Sequence, residues 1–376
     1  MPSVTYLTLE AAQEGQASYA HVHEICNGLN HLGWRINLFK PSYSKDKQLP
    51  NPWKRLWEFI KIQAKICCQI KADNTDILYI RSHFAALPVS FIARIKRISV
   101  IQEVNGPYDD LFIAWPWTAK FKWFFKWLIR TQLYMADAII TVTPQLTEWV
   151  INESGNNSVY VIPNGANIRL FHPNAISSIK VDKPYVVFFG SMAVWQGIDV
   201  ILEAVDEPDW PPELTMVFFG DGIERPKVEK AANENPRIEY FGILPYLEVP
   251  GIIAGSICSL SPKNNKGDRT NTGLAPMKVV ETLACGIPVI VTDFPGMSDM
   301  IRDNNCGLVI PPDDPKALVQ AISHILYNPK ESEIMRLNAR QLAERELSWD
   351  KRAKDTERIM FALIEGRIKE KTTREK

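Results

Sequence analysis

The sequence predicts an α/β protein made of two doubly wound parallel-sheet domains. Short β-rich runs alternate with helical patterns from one end to the other, which is the rhythm of stacked βα units. Runs such as "IPVIV" are continuous and β-branched, as in parallel sheets covered on both faces. The 376 residues also exceed one typical core, so two domains are expected.

In chain order, "SVTYLTL" is a strand followed by a helix over 16–33 that ends at Gly33. "RINLF" precedes a helix over 53–71, and "DILYIR" one over 84–96. "SVIQEV" and "AIITVT" follow, then a helix over 145–153 and the strand "VYVIP". Residues 165–183, rich in Asn, Ser and Pro and without period, read as an interdomain linker between domains at 1–164 and 184–348. The rhythm resumes with "YVVFFG", 198–205, "LTMVFFG", 223–234, "ICSLSP", 276–285, "IPVIV", "GLVI" and 315–327. Two such domains facing each other place a ligand in a cleft at the carboxyl ends of their strands.

Lys+Arg and Asp+Glu both total 43, so net charge points to no nucleic-acid partner. Six cysteines form no CxxC pair, which argues for a reducing compartment and against structural zinc. "MPSVTYLTLEA" lacks the basic start of a signal peptide, and no window is apolar enough to span a bilayer; a cytoplasmic or membrane-peripheral protein is expected.

"TGLAPMKVVETLACGIPVIV" carries the densest chemistry. Pro276 suits the first helical position, and Gly286 and Pro288 stop the helix. Lys278 then lies in the first turn, where the helix dipole disfavours a cation, and Lys-then-Glu at i,i+3 is the poorer order for a pair. An anion on the free N–H groups of the helix start reverses that preference. The alternative is a solvated Lys278–Glu281 pair on an exposed face.

Other strand ends add candidates. Gly15 begins a polar turn after the first strand, His83 directly follows "YIR", and Gly220 opens "GDG". Arg225 occupies the place of a third dinucleotide-binding glycine, so a dehydrogenase fingerprint is absent there. His21 and His23 read as helix-surface or core residues.

Together these motifs resemble the GT-B-fold retaining glycosyltransferases, specifically glycosyltransferase family 4 (glycosyl transferases group 1), nearly end to end. "VIPNGANIRLFHP" resembles the interdomain Pro-Asn-Gly signature, and "FFGSMAVWQGIDVILEA" the strand, loop and helix that open the second domain. "FFGDGIERPKVEK" resembles the next unit, "APMKVVETLACGIPVIVTDFPGMSDMI" the donor-site helix and its following loop, and "LSWDKRAK" a closing helix, 349–376, that crosses back to the first domain.

The resemblance implies transfer of a hexose-type sugar from a nucleotide-diphosphate donor, with retention and without a metal or other cofactor. Glu281 would hold the ribose hydroxyls. The segment Thr272, Gly273, Leu274, Ala275, Pro276, Met277 and Lys278 would cradle the diphosphate, with Lys278 and Glu281 as catalytic groups. Gly190, Ser191, Gln196, Gly197, Gly220 and Gly15 would line the donor site, and His83, Asn105 and Gly106 the acceptor side, His83 as a further catalytic candidate.

The departures are specific. Gly273 stands where many members carry a second glutamate, and Ser191 and Gln196 where they often carry an arginine and a lysine. Lys278 would replace that clamp, assisted by Arg269 or Lys266, while Asp268 could contact the sugar. Asn105-Gly106 stands where many relatives have a histidine. Rival readings are a nucleotide-sugar epimerase or a non-catalytic nucleotide-sugar-binding protein.

"WPWTAKFKWFFKWLIR", 115–130, holds four tryptophans, three lysines, one arginine and no acid. Residues 52–71 repeat the theme with five basic residues against one acid. Both read as helices able to lie on an anionic membrane surface, which suits a lipid-linked or envelope glycan acceptor and a site on the inner face of the plasma membrane. The alternative is a pair of ordinary domain helices with snorkelling lysines.

Overall fold

The computed structural model describes residues 1–10, 17–45, 50–70, 75–182, 184–264 and 271–374. Among them the strands form two six-stranded sheets, every pairing parallel. The chain divides into two compact units, 1–163 with 349–376, and 164–348.

The first unit holds β1 (Ser3–Leu7), β2 (Arg35–Phe39), β3 (Ile77–Arg81), β4 (Ser99–Val104), β5 (Ala138–Thr141) and β6 (Val159–Val161), in the order β2-β1-β3-β4-β5-β6. Every residue of β1, β3, β4 and β5 is buried, because helices cover both sheet faces. The helix Trp349–Arg374 packs on the helix Ala17–His31, and Trp34 Nε1 donates to Glu357 Oε1 at 2.8 Å.

The second unit holds β7 (Tyr185–Ser191), β8 (Thr215–Asp221), β9 (Ile238–Tyr240), β10 (Ser259–Ser261), β11 (Val289–Thr292) and β12 (Gly307–Ile310), in the order β12-β11-β10-β7-β8-β9. The order reverses between β7 and β10, and in such sheets the crevice beyond the strand ends at that point receives ligands. Residues 165–182 pack on this unit: Phe171 is fully buried, and Arg340 Nη1 donates to the carbonyls of Phe171 (3.0 Å) and Ala284 (2.7 Å). The stretch read as a linker thus has its own place in the second core.

Two helices differ from expectation. The stretch 115–130 is a 3-10 turn, Pro116–Phe121, followed by the helix Lys122–Met135; Pro116 starts the turn and Phe121 sits outside helical geometry at its end. The second basic helix is Pro52–Gln69, capped by the Asn51 side chain accepting from the Lys54 N–H at 2.9 Å.

Candidate active site

The helix Met277–Ala284 begins one residue later than predicted. Pro276 has an extended ψ of 130° and is the N-cap, with no side-chain cap bond. The bend is held from both sides, since Leu274 N–H donates to the Pro295 carbonyl (3.0 Å) and Asn164 Nδ2 to the Ala275 carbonyl (2.7 Å). All eight helical residues are buried, Lys278 and Glu281 each with 9% of their surface exposed. The exposed, solvated pair is therefore excluded.

Lys278 Nζ lies 3.8 Å from the centroid of the Phe188 ring on β7 and donates to Gln196 Oε1 at 3.3 Å. Burial pushes its pKa well below the usual lysine range, Lys263 pushes it further, and Glu281 opposes both. An ammonium over an aromatic face is attracted by the ring quadrupole, but one neutral amide and one ring replace little of its lost hydration. Such a group gains most from an anion.

The surrounding backbone converges on the same strand ends. Gly190 and Ser191 close β7, and Gly220, near the end of β8, packs against Gly190. The loop after β7 returns to β10 at Gly197, whose φ is +73°; a Cβ there would lie 1.7 Å from the Pro262 carbonyl oxygen, so only glycine fits. Asn264 closes the contact by donating from Nδ2 to the Val194 carbonyl at 3.0 Å. Gly273 has φ +74°, a left-handed backbone that strains a residue with a side chain, so the family's glutamate is replaced where glycine suits the turn. Gln196, Gly197 and Lys278 thus border the β7/β10 ends, and the turn at 273–276 leads into the helix that carries Lys278. Gly15, Lys266, Asp268 and Arg269 lie outside the described residues. Among the described residues no three His, Cys, Asp or Glu side chains are grouped to hold a metal ion.

The first unit has a polar centre that the sequence reading missed. Glu103, on β4, is fully buried and accepts from Arg81 Nη1 (2.6 Å), Asn105 Nδ2 (2.7 Å), Tyr79 Oη (2.8 Å), His21 Nε2 (3.1 Å) and Tyr6 Oη (3.3 Å). Burial alone would raise its pKa, but His21, Arg81 and Asn105 outweigh that and hold it well below the carboxylate range. Arg81 also donates from Nε to Glu10 Oε2 (2.8 Å), and it faces Glu103 in the β3–β4 register. The signal was a charge inside each of two adjacent apolar strands.

His83 caps a 3-10 turn, its Nδ1 accepting from the Ala85 N–H at 3.2 Å. Burial lowers its pKa to about 4, with Glu10 opposing and Arg55 adding to the shift. At neutral pH it is therefore a neutral imidazole with its proton on Nε2, a donor rather than a base. Asn105 is oriented by Glu103, which leaves its side-chain carbonyl to accept; Gly106 follows it.

The basic stripe is less cationic than its sequence. Lys122 pairs with Asp109 (2.8 Å), Arg130 with Glu153 (2.6 Å), and Lys126 sits over the Tyr108 ring at 4.8 Å. Its aromatic half stands out instead: Trp123 is 73% and Trp53 80% exposed, with Trp57, Trp117, Phe121 and Trp127 also exposed, while Phe125 is buried. The helices Pro52–Gln69 and Lys122–Met135 both pack on Leu87–Ile95, and Arg55 lies 5.2 Å over the Trp115 ring. No helix among the described residues is long and apolar enough to cross a membrane.

Comparison with known proteins bears on the fold and the family. The family model for glycosyltransferase family 4 matches residues 20–170, and that for glycosyl transferases group 1 matches 183–328. An uncharacterized glycosyltransferase of Methanocaldococcus jannaschii is 24% identical over 284 residues, 75% of this chain and 74% of its own. The alpha-monoglucosyldiacylglycerol synthase of Acholeplasma laidlawii is 21% identical, covering 90% of this chain and 91% of its own. Anabaena HepE, crystallised with UDP-glucose, has the same GT-B fold, with a TM-score of 0.69 at 16% identity over 96% of this chain and all of that one. Two Rossmann-like parallel sheets, a buried Lys-x-x-Glu helix at the second sheet's reversal point and family matches to both halves lead to one conclusion: the chain belongs to the family 4, group 1 glycosyltransferases.

Proposed function

We propose that this glycosyltransferase moves a hexose-type sugar, with retention at the anomeric carbon, from a nucleotide-diphosphate sugar to a lipid-linked or envelope glycan. The observation that carries this reading is Lys278, a buried ammonium at an uncapped helix start beside the β7/β10 strand ends. In this reading the diphosphate binds the N–H groups of the first turn and the Lys278 ammonium. Glu281, one turn on, accepts from both ribose hydroxyls, since its two oxygens match two vicinal donors. Negative charge grows on the departing nucleoside diphosphate in the transition state, and Lys278 meets it there. No side chain is assigned as nucleophile; positioning and leaving-group stabilisation carry the rate. Side-chain cations serve the diphosphate, so chelation of divalent ions leaves turnover unchanged.

On the acceptor side, His83 offers its Nε2 proton and Asn105 its oriented carbonyl to sugar hydroxyls. The exposed tryptophans hold the protein at a membrane surface, more by aromatic burial than by charge. HepE's UDP-glucose supports a nucleotide-sugar donor, and a relative named for a glucosylated diacylglycerol supports a lipid-borne acceptor. A thermal-shift panel of UDP-, GDP- and ADP-sugars tests the donor: one at 100 times its Kd adds about 2.7 kcal/mol of stability. Proton NMR of the first-formed product tests retention. A panel with no stabilising member, or a product of inverted anomeric configuration, refutes the corresponding part.

A further inference from the structure

In the first unit a second carboxylate shares the arginine that holds Glu103. Arg81 donates from Nη1 to Glu103 Oε1 (2.6 Å) and from Nε to Glu10 Oε2 (2.8 Å). The two carboxylates differ in access: Glu103 has 2% of its side chain exposed and Glu10 41%. Side-chain alternation accounts for the meeting. Leu7 and Leu9 pack in one core layer with Ile80, while Tyr6 and Tyr79 stack in the other, their ring centroids 4.7 Å apart. Glu10, an even number of residues beyond Tyr6, therefore falls on the side of the sheet that carries Tyr79 and Arg81. The β1–β3 register pairs Leu7 with Ile80 and, continued, sets Glu10 level with His83. The β3–β4 register pairs Arg81 with Glu103 and sets His83 level with Asn105. The backbone carries that second pairing onward, since the Ser82 N–H donates to the Glu103 carbonyl at 2.8 Å and His83 stays extended at φ −151°, ψ 136°. Glu10, His83 and Asn105 are each partly open at the strand ends, whereas Arg81 and Glu103 are buried.

Burial works against charge on Glu10, but Arg81 outweighs it by attraction and by its hydrogen bond, so the carboxylate is ionised at neutral pH. Among the described residues nothing besides Arg81 hydrogen-bonds it. An ion pair with one partner so exposed adds little to stability. Arg81, engaged by two carboxylates, is not a spare cation for a phosphate, and Arg55, which also bears on His83, lies over the Trp115 ring at 5.2 Å. The row instead offers hydrogen bonds in a fixed pattern. Glu10 accepts, His83 donates from Nε2, and Asn105 accepts through Oδ1 because its Nδ2 is held by Glu103 at 2.7 Å. Neighbouring strands lie about 4.8 Å apart, a spacing that the hydroxyls of one sugar ring can bridge. We propose that Glu10 is an acceptor-binding residue, which with His83 and Asn105 receives the non-reacting hydroxyls of an uncharged sugar ring. This inference rests on reading the chain as a sugar transferase with His83 and Asn105 on its acceptor side. An anionic group docked at the same place would be repelled by the carboxylate, so the sign of the charge effect separates the two ligand classes.

Steady-state transfer from UDP-, GDP- and ADP-glucose to dispersed envelope lipid extract tests this, with extract and donor varied in turn. Wild type should turn over at least one donor. Glu10→Gln keeps the side-chain shape and an oxygen for Arg81 but loses the charge. It should raise the half-saturating amount of extract about tenfold or more, the scale of one hydrogen bond to a charged group. Donor half-saturation should not change, and the rate at saturating extract should change much less, as expected when binding common to ground and transition states is lost. An unchanged extract dependence, or a loss shared equally by donor binding and rate, overturns the assignment. A lower half-saturating amount in Glu10→Gln overturns it in favour of an anionic docking group. In each of these cases wild-type turnover leaves the transferase reading intact. No turnover of any donor by folded wild-type protein overturns that reading and the assignment with it. Should Glu10→Gln not fold, Glu10→Asp, which keeps a charge for Arg81 but withdraws it by one methylene, takes its place with the same expected rise.

Discussion

Lys278→Met should push stability and activity in opposite directions. The substitution keeps an unbranched apolar stem against Phe188, whose ring lies 3.8 Å from the native ammonium, and a thioether beside an aromatic ring is favourable in itself. In the unfolded chain the lysine titrates near its ordinary pKa, about 10.4, whereas burial and Lys263 lower it in the fold. The unfolded state therefore binds more protons between the two values, and wild-type stability rises with pH there. The penalty is fully present below the folded pKa, shrinks by about 1.4 kcal/mol per pH unit above it, and is gone above the unfolded pKa. Without ligand, Lys278→Met should be the more stable protein at neutral pH, and its advantage should diminish as the buffer is made more alkaline. Turnover should fall about 100-fold or more at saturating donor, comparable to losing one well-placed electrostatic group in an active site. Denaturant melts at several pH values and steady-state kinetics on the same preparations read both effects. A variant that is less stable at every pH and turns over at a near-wild-type rate would refute the reasoning, because Lys278 would then be a structural lysine.

Glu281→Gln should lower nucleoside diphosphate affinity by about 1–3 kcal/mol with the fold kept, since an amide cannot accept from both ribose hydroxyls; unchanged calorimetric affinity would make Glu281 structural. Glu103→Gln removes the charge that Arg81 and its neighbours surround and should destabilise the first unit by about 3–5 kcal/mol in denaturant melts, a loss under 1 kcal/mol being incompatible with the observed hub. Because the Glu103 and Glu10 pKa values are depressed in the fold, their contribution is present above the unfolded value of about 4.3 and is lost as pH falls through the folded values, which acid melts of wild type and Glu103→Gln will compare. Trp123→Ser with Trp127→Ser should reduce co-sedimentation with anionic vesicles more than Lys122→Glu with Lys126→Glu, because both lysines already have partners; the reverse order would return the weight to charge.

The sheets were legible because strands covered on both faces leave continuous apolar runs, as "ILYIR" and "VIVT" do. The three-residue strand Ile238–Tyr240 and the six-residue helix Val249–Ala254 escaped notice, being too short to show a period, the helix also holding Pro250 and Gly251. Lys278 and Glu281 were visible as an odd pair at a helix start. Their burial was not; the groups that meet Lys278, Phe188 and Gln196, lie about 80–90 residues away in sequence. Lys263 sits in "SPK", where no local pattern separates a buried cation from a loop lysine. Glu103 and Arg81 were each a charge in an apolar run, and their meeting depended on β3–β4 register, which the sequence does not state. Pro276 was expected inside the helix and lies just outside it, since the bend at residues 273–276 is set by contacts with Asn164 and Pro295.

The most direct measurement is acceptor-dependent release of nucleoside diphosphate from UDP-, GDP- and ADP-sugars, with envelope lipid extract as acceptor, in wild type, Lys278→Met and Glu281→Gln. Wild type should release product from at least one donor only when extract is present, and both variants should lose most of that rate with chelator making no difference. Release at wild-type rates in both variants, or no release from any donor by folded wild-type protein, would contradict a nucleotide-sugar transferase built on the Met277–Ala284 helix.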